Sequence, residues 1–253
     1  MRFLLACWLL LTPMVLAGPL TGDHAAWQTV GPGLRFLKSR WTRPDGSAFT
    51  LVAVQADETR YRLAVLSSKT RWRVDAMRHT SGAVVAINGP FFDTDLKPMG
   101  LIISKGRQLQ PMPPPSAANG TVLCVRNGFI HIEPRTTFDP SNVTEAVQCA
   151  PRLIADAKPT TDILDGDVIA PRTVVSLQGH LVTFICTGGW LDLASLHDMQ
   201  AVLQSPLFNS EDALALDGGA STQMSFQCGR FSTEIVARDP VPVGVGLVPA
   251  RRQ

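Results

Sequence analysis

The sequence predicts an α+β fold: a single domain with largely antiparallel or mixed β-sheet and a few packed helices. Three observations carry this. Apolar residues make up 45% of the 253 positions, enough for one sizeable core. Most of them gather in short runs of strand length, bounded by Gly, Asn and Pro. One segment, residues 195–204, spaces its apolar residues for a helix, with Leu196, Met199, Val202 and Leu203 on one stripe.

The chain opens with a segment that reads as a secretory signal. Arg2 supplies the basic end, residues 3–16 are almost wholly apolar, and Val15-Leu16-Ala17 resembles a small-residue cleavage site. The apolar stretch is short for a membrane span. Residues 1–17 are therefore expected to be removed. The mature chain would begin at Gly18 and be secreted or periplasmic, with no integral membrane segment. Its balance is 22 basic against 21 acidic residues. No global field attracts nucleic acid or an anionic surface, so neither is expected as a partner. Four cysteines remain, Cys124, Cys149, Cys186 and Cys228. An even number in an exported chain permits two disulfides in three connectivities, with buried thiols as the alternative.

Residues 18–45 are rich in Gly, Pro, Arg and Trp and read as an irregular leader; the domain is expected over 46–253. Residues 50–54 and 62–66 are two apolar runs that suggest a hairpin with a long loop. Residues 83–87 form a third run, continuous enough to be buried on both faces. It opens into Asn88-Gly89-Pro90-Phe91-Phe92-Asp93, where Pro90 spoils a simple two-residue hairpin. One of the two phenylalanines is expected to pack inward and the other to shape a surface pocket. Residues 101–104 lead to a Lys105-Gly106 turn, and 110–118 form a proline-rich loop. Residues 121–125 and 129–132, joined by Asn127-Gly128, are the clearest hairpin. Residues 173–177 and 180–185 make another across Gln178-Gly179. Arg172 stands at its start, where an arginine serves either as a rim salt bridge or as an anion clamp. Ser195 and Asp198 are spaced as a capping box at the head of the helix. The apolar tail at 241–248 reads as a final strand.

The organising stretch follows that helix. Residues 213–216 are an apolar run that breaks into Asp217-Gly218-Gly219-Ala220-Ser221-Thr222. A strand end fixes the carboxylate, the glycines admit close backbone approach or positive φ, and the hydroxyls can donate to sugar or phosphate oxygens. The alternative is an acidic strand end running into an ordinary Gly-Gly turn. Ser221 lies outside any Gly-x-Ser-x-Gly elbow, so it is not expected to be a nucleophile. The histidines His24, His79, His131, His180 and His197 lack ligand spacing. No cofactor or metal is called for, although Asp217 and Asp93 could join a weak cation site.

Five motifs in order give the chain a resemblance. Asn88-Gly89-Pro90-Phe91-Phe92, Pro98-Met99-Gly100, Ala150-Pro151-Arg152, Arg172-Thr173-Val174 and Leu216-Asp217-Gly218-Gly219-Ala220-Ser221 are similar to the pattern of the phosphodiester glycosidase family. The chain departs from it at Pro90, Ala150 and Ala220, each of which stands where the family carries Gly, and at Val175-Ser176 in place of Ile-Gly. The resemblance implies an exported hydrolase that cleaves the anomeric C–O bond of a sugar-1-phosphodiester, in exopolysaccharide or envelope glycan metabolism. It implies Asp217 as the carboxylate near the anomeric carbon and Arg172 on the phosphate. Asn88 is expected to hydrogen-bond sugar or phosphate. Gly89, Gly218, Gly219, Ser221, Thr222 and Thr173 are expected around the phosphate, with Asp93 as a candidate second acid. Two alternatives stay open: a non-catalytic exported protein that binds phosphorylated glycans, which Pro90 and Ala220 favour, and a hydrolase of ordinary glycosides, which calls for a second carboxylate.

Overall fold

The computed structural model describes residues 19–161 and 163–250. The signal segment expected at 1–17 lies outside them. Apolar runs that face apolar neighbours on both sides make central strands, and the longest sheet is built from these. Its path is Thr21–Gly22, Leu34–Thr42, Ala48–Asp57, Leu181–Thr187, Thr173–Gln178, Asp212–Ala215, Arg152–Ala155 and Lys158–Pro159, with Gln28–Gly31 beside Leu34–Thr42. Alternation sorts its side chains into two cores. Leu51, Ala53, Val174 and Ala215 point to one face, where the helix Leu196–Gln204 lays down Met199, Val202 and Leu203. Val52, Val54, Val175 and Leu214 point to the other.

That second face meets two five-stranded sheets. One runs Phe129–Pro134, Thr121–Arg126, Val143–Cys149, Ile102–Ser104 and Arg107–Gln110. The other runs Phe231–Ile235, Met224–Cys228, Val85–Asn88, Val241–Pro249 and Tyr61–Trp72. The three sheets share one core through Val54, Ile87, Leu123, Phe184, Phe226 and Val245. All strand pairings among the described residues are antiparallel, so the sheets are antiparallel and not mixed.

The helix Leu196–Gln204 starts as its sequence predicts. The Ser195 hydroxyl accepts from the Asp198 amide at 2.9 Å, and the Asp198 carboxylate accepts from the Ser195 amide at 2.8 Å. A second helix, Val74–Ser81, was not foreseen. Its N-cap is Arg73, which makes no side-chain cap, and few of its residues are apolar. Its one sequence signal is Gly82, which closes it in the left-handed conformation at φ 72°.

Three expectations are corrected. Residues 18–45 are not an irregular leader, because Gln28–Gly31 and Leu34–Thr42 are strands of the large sheet, with Leu34 and Leu37 in its cores. Alternating charged residues in 34–42 masked the strand. The runs at 50–54 and 62–66 do not pair with one another. Ala48–Asp57 is flanked by Leu34–Thr42 and Leu181–Thr187, and a turn at 57–60 sends the chain into the other sheet. The first run thus hairpins with the strand before it, and distant Leu181–Thr187 takes its other edge. Finally, Cys124, Cys149, Cys186 and Cys228 are free thiols, not disulfides. Cys124 faces Ala146 and Cys149 faces Thr121 across the same strand pair, while Cys186 and Cys228 lie in the other two sheets. Among the described residues no helix is long and apolar enough to cross a membrane.

Candidate active site

Two sheets meet at the ends of three strands. Val85–Asn88 ends at Asn88, Asp212–Ala215 runs into Asp217, and Thr173–Gln178 begins just after Arg172. Asn88 stitches them together. Its amide donates to the Asp217 carbonyl at 2.6 Å, and its side-chain oxygen accepts from the Thr173 hydroxyl at 2.7 Å and the Gln223 amide at 3.2 Å. The Asp217 amide then donates to the Gly89 carbonyl at 3.2 Å, and the Leu216 amide to the Thr173 carbonyl at 2.9 Å. Asn88 has no exposed surface. Its side chain is spent inside the fold, and so is that of buried Thr173, so neither is placed to meet a sugar or phosphate directly. Gly89 is buried as well: its amide bonds Val243, and a Cβ there would lie 2.8 Å from the Val243 carbonyl oxygen.

Asp217 itself is half-buried. Burial pushes its carboxyl above the usual range, while the Ser221 hydroxyl and the Gly218 amide hold it partly down by hydrogen bonding. The glycines that follow are dictated by the backbone. A Cβ on Gly218 would lie 2.8 Å from the Pro171 carbonyl oxygen, and Gly219 takes φ +57° to donate its amide to that same oxygen at 2.8 Å. The amides of Ser221 and Thr222 close onto the carbonyls of Gly218 and Gly219. The turn therefore spends the Gly218 and Gly219 amides on Asp217 and Pro171, and they do not form the open phosphate nest expected from the sequence. Thr222 is buried, and among the described residues its hydroxyl is left without a partner.

Arg172 is half-buried against the same turn. Its Nε donates to the Ala194 carbonyl at 2.9 Å and its Nη2 to the Val168 carbonyl. Nη1 lies 3.9 Å from the point a Gly218 Cβ would occupy. Among the described residues no carboxylate forms a salt bridge with Arg172, so of the two roles open to it the rim ion pair is not the one seen. Burial lowers its pKa, and Asp198, itself paired with Arg43 at 2.8 Å, offsets part of that. The guanidinium opens into a cleft of about 540 Å³, lined by Phe91, Pro151, Leu196 and Gly218 among others. Phe91 is thus the pocket-forming phenylalanine, and Phe92 packs against the core beneath the helix Val74–Ser81.

Asp93 stands apart. It is exposed, and its carboxylate accepts the amides of Asp95 and Lys97 at 2.9 Å each, which makes it a turn residue and not a second acid. The site residues that the sequence did not single out are Leu164, Asp165 and Val168 on the cleft wall, where Met99 of the Pro98-Met99-Gly100 motif joins them. Their only signal is the presence of large apolar residues within a polar, proline- and glycine-containing context. Among the described residues no group of three His, Cys, Asp or Glu side chains could hold a metal ion.

Residues 81–248 match the sequence pattern of phosphodiester glycosidases. No curated protein sequence matches the chain. Among solved structures, the zebrafish N-acetylglucosamine-1-phosphodiester alpha-N-acetylglucosaminidase catalytic domain, auto-inhibited by its pro-peptide, is similar with a TM-score of 0.67 at 16% identity. That match covers 91% of this chain and 88% of the zebrafish one. A hypothetical protein from Synechocystis is similar with a TM-score of 0.62 at 14% identity, over 89% of this chain and 64% of its own. A putative exported protein from Burkholderia pseudomallei is similar with a TM-score of 0.60 at 10% identity, over 94% and 98%. At these identities the likeness is one of fold.

Proposed function

The chain belongs to the phosphodiester glycosidase family, and from that premise we propose that it is an exported hydrolase of sugar-1-phosphodiesters. Water attacks the anomeric carbon, the bond from that carbon to the bridging oxygen breaks, and its electron pair leaves on the phosphate. The products are a free sugar and a phosphomonoester. Phosphate is a good leaving group, so the reaction asks little of a general acid and much of charge stabilisation.

The observation that carries this reading is that Arg172 packs against Gly218, the residue that follows Asp217. Among the described residues, no carboxylate forms a salt bridge with its guanidinium. Arg172 takes the phosphate oxygens and stabilises the departing charge. Asp217 steadies the oxocarbenium-like centre or accepts a proton from the attacking water. Its raised pKa makes it a better base than an exposed carboxylate, and Ser221 holds its orientation. Asn88, Thr173 and Gly89 act one layer back by fixing the Asp217 backbone. The exopolysaccharide or envelope setting belongs to the same proposal.

The test is release of free sugar from a panel of sugar-1-phosphodiesters by the purified protein, alongside Asp217→Asn and Arg172→Ala. Asp217→Asn is expected to lower kcat by at least about a hundredfold. Arg172→Ala is expected to lower kcat/KM by a similar factor. Full activity in folded Asp217→Asn would remove this assignment. Phosphoester binding without turnover in the wild type would point to the binding-protein alternative.

A further inference from the structure

The cleft beside Arg172 says more about the substrate than the reaction requires. This inference rests on the phosphodiester reading above and concerns the far side of the phosphate. We propose that the group esterified there, the aglycone, is apolar: an alkyl or aryl chain, not a second sugar or a nucleoside.

The geometry gives the direction. The anomeric carbon must lie on the Asp217 side of the phosphate. Asp217 is not a wall of the cleft, whereas Gly218 and Arg172 are. The second ester substituent therefore leaves Arg172 along the cleft. What it meets there is Phe91, Met99, Leu164, Val168 and Leu196. Three of these are left open to solvent, Met99 at 44%, Leu164 at 71% and Val168 at 56%. Ile169 follows at 54%.

Large apolar side chains gathered at the mouth of a concave site mark a surface that binds apolar matter. Among the described residues, the charged group on the wall besides Arg172 is Asp165, which would repel a second phosphate and so disfavours a nucleoside diphosphate. A sugar or nucleoside would bring hydroxyls into a space that offers few partners, at a cost for each one left unbonded. The volume, about 540 Å³, suits a ligand of modest size. Leu164 and Val168 are then specificity-determining residues.

Binding is measured first, because it does not depend on turnover. Hexyl phosphate and glycerol 3-phosphate are titrated calorimetrically into the purified protein and into the double variant Leu164→Asn/Val168→Asn. Both substituted positions are exposed, and a thermal melt checks that the variant is folded. The wild type is expected to bind hexyl phosphate at least about tenfold more tightly, since each methylene buried favours the alkyl ester. The double variant is expected to lose most of that ratio. Equal affinities in the wild type, or a ratio that survives both substitutions, would overturn the inference. Sugar release from hexyl and glyceryl sugar-1-phosphodiesters is measured in parallel. Sugar release without alkyl selectivity would sink the apolar aglycone and leave the hydrolase. Alkyl-selective binding without release from any substrate would sink the hydrolase and leave selectivity for apolar phosphoesters.

Discussion

Replacing Asn88 by alanine should cost the fold far more than the loss of one polar side chain from a surface would. The amide bonds three groups at once: the Asp217 carbonyl, the Thr173 hydroxyl and the Gln223 amide. Alanine offers none of these a partner. A buried group left unbonded costs roughly 1–3 kcal/mol. Thr173 retains a weak alternative in the Cys186 thiol at 3.7 Å, and Asp217 is near enough to solvent to recover part of its loss. The expected destabilisation is therefore about 3–5 kcal/mol, a large part of a typical folding free energy. Urea unfolding followed by far-UV circular dichroism measures it. Asn88→Asp refines the test. It keeps an oxygen for Thr173 and Gln223 but sets its other oxygen where a donor stood 2.6 Å from the Asp217 carbonyl. Only the protonated acid can donate there, so folding raises the pKa of the new carboxyl above its unfolded value. Its stabilisation is then present below about pH 4, the unfolded carboxylate range, and is lost as pH rises through the folded pKa. A loss under about 1 kcal/mol in the alanine variant, or a pH profile for Asn88→Asp parallel to that of the wild type, would refute the reasoning.

The remaining predictions are independent of that lock. Asp217→Asn should be at least as stable as the wild type at neutral pH, because burial disfavours the ionised carboxylate. The wild type loses stability as pH rises from the unfolded carboxylate range through the higher folded pKa, so the Tm gap should widen upward and close near pH 4. Gly218→Ala should lose about 1–3 kcal/mol and at least tenfold in kcat, because its Cβ would sit 2.8 Å from the Pro171 carbonyl oxygen between Arg172 and Asp217. Chemical denaturation and steady-state kinetics on one preparation check both numbers. Of the four described cysteines, Cys124, Cys149 and Cys186 should resist a disulfide-exchange reagent at pH 8 in the native protein, since burial pushes each thiol up to about 12. Half-buried Cys228 should react first, and all four should react after denaturation, as counted spectrophotometrically.

How much of this was legible in the sequence depends on the range of the interaction concerned. Local signals held. Asn127-Gly128 turns the 121–134 hairpin with both residues at positive φ, and Ser195 with Asp198 caps its helix; the 173–187 hairpin forms as well, but its turn is Gly179-His180, because Gln178 pairs with Leu181 as a strand residue. The tail at 241–248 is a strand, as its apolar pattern predicts. Partner choice over long distances was not legible. Nothing in residues 48–66 says that the two runs belong to different sheets: the first pairs with Leu34–Thr42 just before it and with distant Leu181–Thr187, and the second with distant Val241–Pro249. The positions of Asp217 and Arg172 near one turn followed from motif order, yet their hydrogen-bond allotment did not. Asn88 and the paired glycines have the residue types of a binding loop, and only the backbone geometry reveals that their polar groups face each other. The apolar cleft wall was missed because Leu164 and Val168 sit in a loop with no periodicity to read.

The strand Val241–Pro249 lies between Val85–Asn88 and Tyr61–Trp72, and its Val243 carbonyl receives the Gly89 amide. During synthesis, residues 61–93 leave the ribosome long before this strand exists. Until it arrives, Val85–Asn88 has an open edge and the Gly89 amide lacks its Val243 acceptor. The site is thus fully braced only after Val241–Pro249 has paired. A growing chain, or one clipped before Val241, can still set Asp217 near Arg172 through the Leu216–Thr173 and Gly219–Pro171 bonds of the large sheet, but it lacks the brace that reaches Asp217 through Gly89 and Asn88.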